Sequence, residues 1–132
     1  MKASELRLKN LLYVGKSIEV VSELSKTSIK FEGRQHLYNL NGEGTLVKPI
    51  PLTEEWLLEF GFEKLEFFES NAGIGYHEDI WKKDDLILWF YLGNFDACTI
   101  NGEGEYIDVS QVHLLQNLYF ALKNTELKKI EL

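Results

Sequence analysis

The most reactive side chains in this sequence are its 3 histidines, and one of them stands among carboxylates in the run Tyr76-His77-Glu78-Asp79. Adjacent side chains of a strand point to opposite faces, so only His77 and Asp79 would share one. Two ligands are too few for a zinc site, which takes three or four. A metal-dependent hydrolase would need a third group, and His113 is the candidate that folding could bring to this pair.

Nucleophilic and acid–base chemistry have less support. The single cysteine, Cys98, has apolar neighbours, which is typical of a buried structural thiol. No Gly-x-Ser-x-Gly elbow is present. The paired carboxylates fall at helix starts and turns, where they have structural explanations; they are Glu54-Glu55, Asp84-Asp85 and Glu103/Glu105. We therefore expect no catalytic residue, no cofactor and no bound metal, and keep the His77, Asp79 and His113 hydrolase as an alternative.

The elements that would position such side chains are organised around the stretch Ile50–Phe62. Thr53 predicts a helix N-cap, and Leu52 can close on Leu57 as a hydrophobic staple. Gly61 can adopt the left-handed conformation that ends a helix. The stretch predicts a helix of about two turns, which is too short to be stable alone and must dock on a larger structure.

Short β-rich runs separated by turn residues precede this helix. They are Leu11–Val14, Ser17–Leu24, Ser28–Phe31, Gln35–Leu40 and Thr45–Val47. Their close spacing predicts a small antiparallel β-barrel, SH3-like in one form, or a curled sheet. Residues 1–12 fit either a helix start or an edge strand, and the alternation of Leu6, Arg7, Leu8 and Lys9 favours the extended form.

The second half of the chain predicts an antiparallel sheet covered by a helix. Its predicted strands are Lys64–Glu69, Tyr76–Trp81, Leu86–Leu92, Phe95–Ile100 and Glu105–Val109. The continuous apolar run Leu86–Leu92 indicates a central strand with both faces covered. A helix over Gln111–Lys123, capped by Ser110, would pack on this sheet, and residues 128–132 would fray. The predicted fold is α+β, one domain with two lobes, residues 1–49 and 50–132.

Aromatic residues are concentrated in the second half, and two explanations remain open: they fill the core, or some form a contact surface. The predicted final helix places several polar residues and Phe120 opposite its main apolar stripe. The candidate interaction surface is Phe120, His113, Gln116, Asn117 and Trp81. We expect a non-enzymatic protein that binds an unknown protein partner or itself.

Charge and hydropathy limit the classes of partner and the cellular location that the sequence supports. The net charge of −7 makes nucleic acid an improbable partner, although a small barrel with its basic residues on one face would be an alternative binding module. Those residues are Lys9, Lys16, Lys26, Lys30 and Arg34. Neither a membrane-spanning run nor a signal peptide is indicated, so a cytoplasmic location is the expectation.

The tetrapeptide Asn41-Gly42-Glu43-Gly44 recurs as Asn101-Gly102-Glu103-Gly104. In both places a short predicted strand and then a predicted helix follow. Two interpretations remain open, a duplicated β-β-α unit and a coincidence of residues that are common in hairpin turns. The tetrapeptide lacks the spacing and the Lys-Ser/Thr pair of a phosphate-binding loop.

The motifs at Ile50–Phe62 and Val112–Leu122, together with the opening Met1–Arg7, resemble a family of small proteins without an assigned activity from Bacteroidetes-type gut bacteria and their phages. The resemblance spans nearly the whole chain. It implies an architecture and a phage or prophage origin, and no chemistry. The family usually has glycine after the opening Leu-Arg-apolar run, where this sequence has Lys9.

Overall fold

The computed structural model describes residues 2–40, 46–65, 68–70, 73–75, 80–84, 86–91, 94–98 and 107–130. Both copies of the Asn-Gly-Glu-Gly repeat, His77 and Asp79 lie outside the described residues, as does the side chain of Cys98. The fold is α+β, with two five-stranded antiparallel sheets, a two-stranded hairpin and a C-terminal helix. The fold class is therefore confirmed.

The elements follow one another in a simple order. They are a 3₁₀ helix at Ala3–Glu5, β1 Leu11–Val14, β2 Ser17–Leu24, β3 Ser28–Phe31, β4 Tyr38–Asn39, β5 Val47–Lys48, α1 Glu54–Glu59, β6 Glu63–Leu65, β7 Phe68–Ser70, β8 Gly73–Gly75, β9 Ile80–Lys83, β10 Leu86–Tyr91, β11 Asn94–Cys98, β12 Ile107–Asp108 and α2 Val112–Lys123.

The first sheet has the strand order β4-β3-β2-β1-β5, and β1, β2 and β3 begin and end where the sequence predicts. Strands β4 and β5 are shorter than predicted, two residues each. Within the described residues β4 and β5 form the two edges of an open sheet, and no closed barrel is found. The register of β2 against β3 shifts between Val21 and Glu23, and such an irregularity bends a strand.

Strand β1 is shared by two apolar cores because its side chains alternate between the faces of the sheet. Leu12 and Val14 are buried in a cluster formed mainly by the first sheet. Leu11 and Tyr13 pack on the larger cluster, which contains α1, α2 and the second sheet. The predicted division into lobes at residues 49 and 50 stays a prediction.

Helix α1 has the predicted caps. The Thr53 hydroxyl accepts a hydrogen bond from the Trp56 amide at 3.4 Å. At the other end Gly61 has a φ of +88°, and the amides of Gly61 and Phe62 donate to the carbonyls of Leu58 at 3.1 Å and Leu57 at 2.9 Å. These paired bonds are the Schellman motif. Leu57 is fully buried in the larger core, so the short helix docks through it.

The second sheet has the order β12-β11-β10-β9-β6, which confirms β10 as its central strand. Leu86 and Leu88 face the larger core. Ile87, on the opposite face, is buried in a smaller cluster with Ile80. The continuous apolar run therefore begins with residues covered on both faces, as predicted, and its later member Phe90 is 37% exposed.

Helix α2 packs on the larger core through Val112, Leu115 and Tyr119. Ser110 is not its N-cap: Gln111 holds that position without a side-chain bond, because the Ser110 hydroxyl donates instead to the Asp108 carboxylate.

The residues that follow α2 correct a second prediction. Leu127 is buried in the larger core, and the Ile130 amide donates to the Glu59 carbonyl at 2.6 Å. Residues 126–130, the C-terminal tail, are therefore fastened to α1 rather than frayed.

Candidate interaction site

The polar face of α2, which the sequence analysis proposes as a contact surface, is covered by residues 2–10, the N-terminal segment. The Asn117 amide nitrogen donates to the Glu5 carbonyl at 2.8 Å. The Asn117 side-chain oxygen accepts a hydrogen bond from the side-chain nitrogen of Asn10 at 2.7 Å, and Asn10 is fully buried. The segment is a 3₁₀ helix followed by a turn, so the extended form favoured for residues 1–12 is wrong over residues 2–10, whereas Leu11 and Leu12 begin β1.

Gln116 joins this face of α2 to the start of β1. Its side-chain oxygen accepts from the Leu11 backbone amide at 2.8 Å, and its nitrogen lies 3.5 Å from the Lys9 carbonyl. The Gln116 residue is only 3% exposed. A buried amide that accepts from a buried backbone donor is costly to remove, because the donor is left unsatisfied.

Arg7 joins the N-terminal segment to Glu126 of the C-terminal tail by an ion pair and to α2 by a contact with an aromatic ring. Its guanidinium binds both oxygens of the Glu126 carboxylate, with Nη2 3.0 Å from Oε2. It also lies over the Phe120 ring at 4.2 Å from the centroid, a cation–π arrangement. The hydrogen bond from Arg7 lowers the pKa of Glu126 below its ordinary value, and burial opposes this change. Phe120 is thus half-buried under Arg7.

His113, like Asn10, is a fully buried polar residue of this contact, at 0% exposure. Neither ring nitrogen has a hydrogen-bond partner among the described residues, and Nε2 lies 3.7 Å from the nearer oxygen of Glu5. Burial lowers the pKa of His113, and the Glu5 carboxylate opposes this in part. The imidazole is therefore neutral at pH 7.

The exposure expected of three predicted surface residues is wrong. His113 and Gln116 are buried because the N-terminal segment covers them, and Trp81 is 2% exposed because β9 turns it into the larger core. Asn117 and Phe120 keep partial exposure. The face is a contact surface, and its observed partner is the chain's own N-terminal segment; a role in binding another protein stays a prediction.

The contacts of Arg7, Asn10 and Glu126 were missed by sequence reasoning. Asn10 and Asn117 are 107 residues apart in the chain, and Arg7 and Glu126 are 119 apart. No local pattern carries information on such pairs. The one available signal is the cluster of polar residues on α2 opposite its apolar stripe, which indicates a contact without indicating its partner.

A pocket of about 460 Å³ opens beside this contact, where the two ends of the described chain meet α1 and α2. Its lining residues are Lys9, Leu11, Phe60, Gln116, Glu126, Leu127, Lys128 and Lys129. Phe60 and Leu127 are buried and Leu11 is half-buried, whereas the lysines are exposed. The apolar lining therefore exposes little surface apart from Leu11, the rim is cationic, and the volume lies within the size range of ligand sites.

The charged residues around the pocket are mostly paired. Lys9 pairs with Glu32 at 2.5 Å, Lys129 pairs with Glu59 at 3.1 Å, and Arg7 pairs with Glu126. Lys128 has no ion-pair partner within 4.0 Å among the residues that the structure describes. Lys128 still attracts the Glu126 carboxylate, because its charge is one of the causes that lower the pKa of Glu126.

The described part of the chain contains no assembled metal site of the kind that the alternative hydrolase hypothesis requires. Among these residues no group of three His, Cys, Asp or Glu side chains could hold a metal ion. His113 is enclosed, and its proposed partners His77 and Asp79 lie outside the described ranges, so the hydrolase constellation stays untested. The described helices include none with the length and hydropathy needed to span a membrane.

Comparisons with protein families, with curated proteins and with solved structures return no match to this chain. The resemblance to the phage-associated family therefore stays a prediction.

Proposed function

We propose that this protein is a non-enzymatic interaction module and that a protein partner docks at the pocket between its two chain ends. The observation that carries the proposal is the pocket of about 460 Å³, which Phe60 and Leu127 line together with Lys9, Lys128 and Lys129. A concave surface with exposed charges at its rim gives a partner shape complementarity and an orienting contact.

The walls of this pocket are fixed before any partner arrives, which favours binding. Gln116 and Asn117 hold the N-terminal segment, which carries Lys9 to one side of the pocket. On the other side the C-terminal tail is held by the bond from the Ile130 amide to the Glu59 carbonyl and by Lys129 over the Trp56 ring at 4.7 Å. A partner would not have to order these segments.

We also propose that the partner at this pocket can be a second copy of the chain. We further propose that the protein has a phage or prophage origin and a cytoplasmic location. A barrel-like curl of the first sheet belongs to the same proposal, and the register shift between Val21 and Glu23 supports it.

The nucleic-acid alternative has less support. Lys9 pairs with Glu32 and Arg34 pairs with Glu19, so two of the five basic residues that such a surface would use are already neutralised. A salt-dependent shift of single-stranded DNA by the purified protein would favour this alternative over the proposal.

A photo-crosslinking amino acid at position 128 tests the proposal in a cell extract of a Bacteroidetes-type gut bacterium. We expect a discrete crosslinked product that is absent when the same group replaces Lys26, an exposed residue of the turn between β2 and β3. Light scattering on the purified protein separates a foreign partner from self-association. Equal labelling from positions 128 and 26, or no product from position 128, would contradict the proposal.

A further inference from the structure

We propose that acid releases residues 2–8, the cover, from α2, and that protonation of His113 drives the release. The inference goes beyond the proposed function and holds whether or not a partner docks at the pocket. It combines two observations. The cover encloses an imidazole that lacks a hydrogen-bond partner among the described residues, and one strained turn links the cover to β1.

His113 is a titratable group that the cover shuts away from water. The residue is 0% exposed. A neutral imidazole carries one N–H donor and no charge, whereas an imidazolium carries two donors and a charge that need partners or water. Moving a terminal segment aside hydrates the protonated ring at a lower cost than unfolding the cores does.

Protonation is therefore more favourable in the open form than in the closed form. Burial is the largest influence on His113 and lowers its pKa; the Glu5 carboxylate opposes this effect, and the positive charge of the amino terminus adds to it. The Glu5 side chain is 38% exposed and also accepts from the Lys2 amide at 3.2 Å, so water weakens its attraction to an imidazolium. The other charges of this contact, Arg7 and Glu126, are paired with each other.

The cover can leave without disturbing the first sheet. The Asn10 amide donates to the Arg7 carbonyl at 3.1 Å, which closes a turn where Lys9 has a φ of +76°, a strained conformation for a residue with a side chain. Beyond this turn the Lys9 amide donates to the Val21 carbonyl at 2.9 Å, and the Val21 amide donates to the Asn10 carbonyl at 2.9 Å. Lys9 and Asn10 therefore stay on β2 while residues 2–8 move.

Release breaks a small set of contacts and uncovers part of α2. The polar contacts that break are those of the Glu5 carbonyl with Asn117 and of Arg7 with Glu126 and Phe120. Leu6, at 8% exposure in the core of the first sheet, holds the cover closed at neutral pH. The residues uncovered belong to the interaction surface that the sequence predicts; they are His113, Asn117 and Phe120.

Amide hydrogen exchange on the intact protein tests the inference at pH 7.5 and pH 5.5, a range chosen to bracket the ordinary histidine pKa of about 6.5. The Leu6 amide donates to the Ala3 carbonyl at 3.0 Å and reports on the cover. Its protection, the intrinsic rate at each pH divided by the observed rate, should fall by up to about tenfold on acidification, because the open form takes up the proton. Unchanged or increased protection would overturn the inference.

Two histidine variants and urea identify the cause of the fall. In His113→Gln the protection of Leu6 should not depend on pH, and His36→Gln, at an exposed position of the first half, should behave like the natural protein. Urea below the unfolding transition should leave the exchange of Leu6 unchanged, since local opening exposes little surface. A fall that persists in His113→Gln, or a Leu6 rate that rises with urea as global unfolding does, would overturn the inference.

The coupling must also act in the reverse direction, because linkage is reciprocal. Leu6→Ala removes the apolar anchor of the cover without changing any charge, so the pKa of His113 measured by NMR should move up toward its ordinary value of 6.5. Leu8→Ala, at a residue of the cover that is 50% exposed, should leave this pKa unchanged. An equal pKa in the two variants would overturn the inference.

Discussion

The two helices of this protein are held in place by opposite means. Helix α1 is closed by residues within or next to it, with Thr53 at its start and Gly61 at its end. Helix α2 has no side-chain cap at Gln111, and its polar face is fastened by residues more than 100 positions away, such as Asn10. Both helices dock on the larger core. What distinguishes α1 is its pair of local caps around the apolar anchor Leu57, and what distinguishes α2 is its set of remote polar contacts.

This difference shows that a polar helix face in a sequence does not by itself predict an exposed surface. A polar helix face is usually a solvated face, and by that rule α2 presents an open surface. Here the polar side chains of α2 replace water with the backbone of the N-terminal segment, through Gln116 and Asn117. The proposed binding pocket lies beside this contact and takes one wall from it, Lys9.

The largest effect is expected from the apolar side of the comparison. Leu57→Ala removes a fully buried side chain from the larger core and should lower the free energy of unfolding by about 2–5 kcal/mol. Leu58→Ala, the adjacent residue at 58% exposure, should change it by less than about 0.5 kcal/mol. Urea unfolding measures both. Similar losses from the two variants would mean that α1 is not docked through Leu57.

The polar side is tested by a double-mutant cycle across the contact of Asn10 with Asn117. Each asparagine exchanged for alanine leaves a buried partner group unsatisfied, so each single change should cost about 1–3 kcal/mol. The coupling energy between the two changes should be about 1 kcal/mol. Simple additivity of the two losses would show that these side chains do not interact in solution.

The dependence of stability on pH probes His113, a buried group whose ring nitrogens have no hydrogen-bond partner among the described residues. Burial lowers its folded-state pKa below the ordinary value of 6.5. The unfolded chain therefore takes up a proton first as the pH falls through 6.5, and the folded state loses stability relative to it.

The variant His113→Gln lacks this proton uptake, whereas the other titratable groups remain. We subtract the unfolding free energy of the variant from that of the natural protein. This difference should decrease as the pH falls from 7.5 to 5.5, a range chosen to bracket the ordinary histidine pKa of about 6.5. An increase over the same range would mean that attraction to Glu5 at 3.7 Å outweighs burial.

The smallest effect concerns the turn that leads the N-terminal segment into β1. Lys9 has a φ of +76°, a conformation that favours glycine. Lys9→Gly should melt about 3 °C higher than Lys9→Ala, since both variants lose the contact with Glu32 and only alanine keeps the strain. Equal melting temperatures would remove backbone strain as a feature of this turn.

The features predicted correctly are those that neighbouring residues determine. Strands β1, β2 and β3, the caps of α1 and the central position of β10 follow from alternation, turn residues and an unbroken apolar run. Ser110 was mistaken for a cap because its competing acceptor, Asp108, is equally local and the sequence does not decide between them. The tail after α2 is predicted to fray because the ends of a chain usually do, yet Leu127 anchors it in the core.

The candidate site could be predicted only in part. The polar residues of α2 were recognised as a contact surface, but their burial depends on pairs such as Arg7 with Glu126, which only the folded chain brings together. The pocket likewise combines Lys9, Phe60 and Lys128 from three distant parts of the sequence. The spacing of residues along the sequence does not predict which distant residues come into contact in the fold.

The central claim is that the polar face of α2 fastens the N-terminal segment and the start of β1, and amide hydrogen exchange at Leu11, the first residue of β1, tests it most directly. The Leu11 amide donates to the Gln116 side chain at 2.8 Å, whereas the Phe62 amide, in the C-cap of α1, donates to Leu57. We predict slow exchange at both amides in the natural protein, and in Gln116→Ala a marked acceleration at Leu11 with Phe62 unchanged. Exchange of Leu11 at the rate of an unstructured chain in the natural protein, or no acceleration in the variant, would contradict the account.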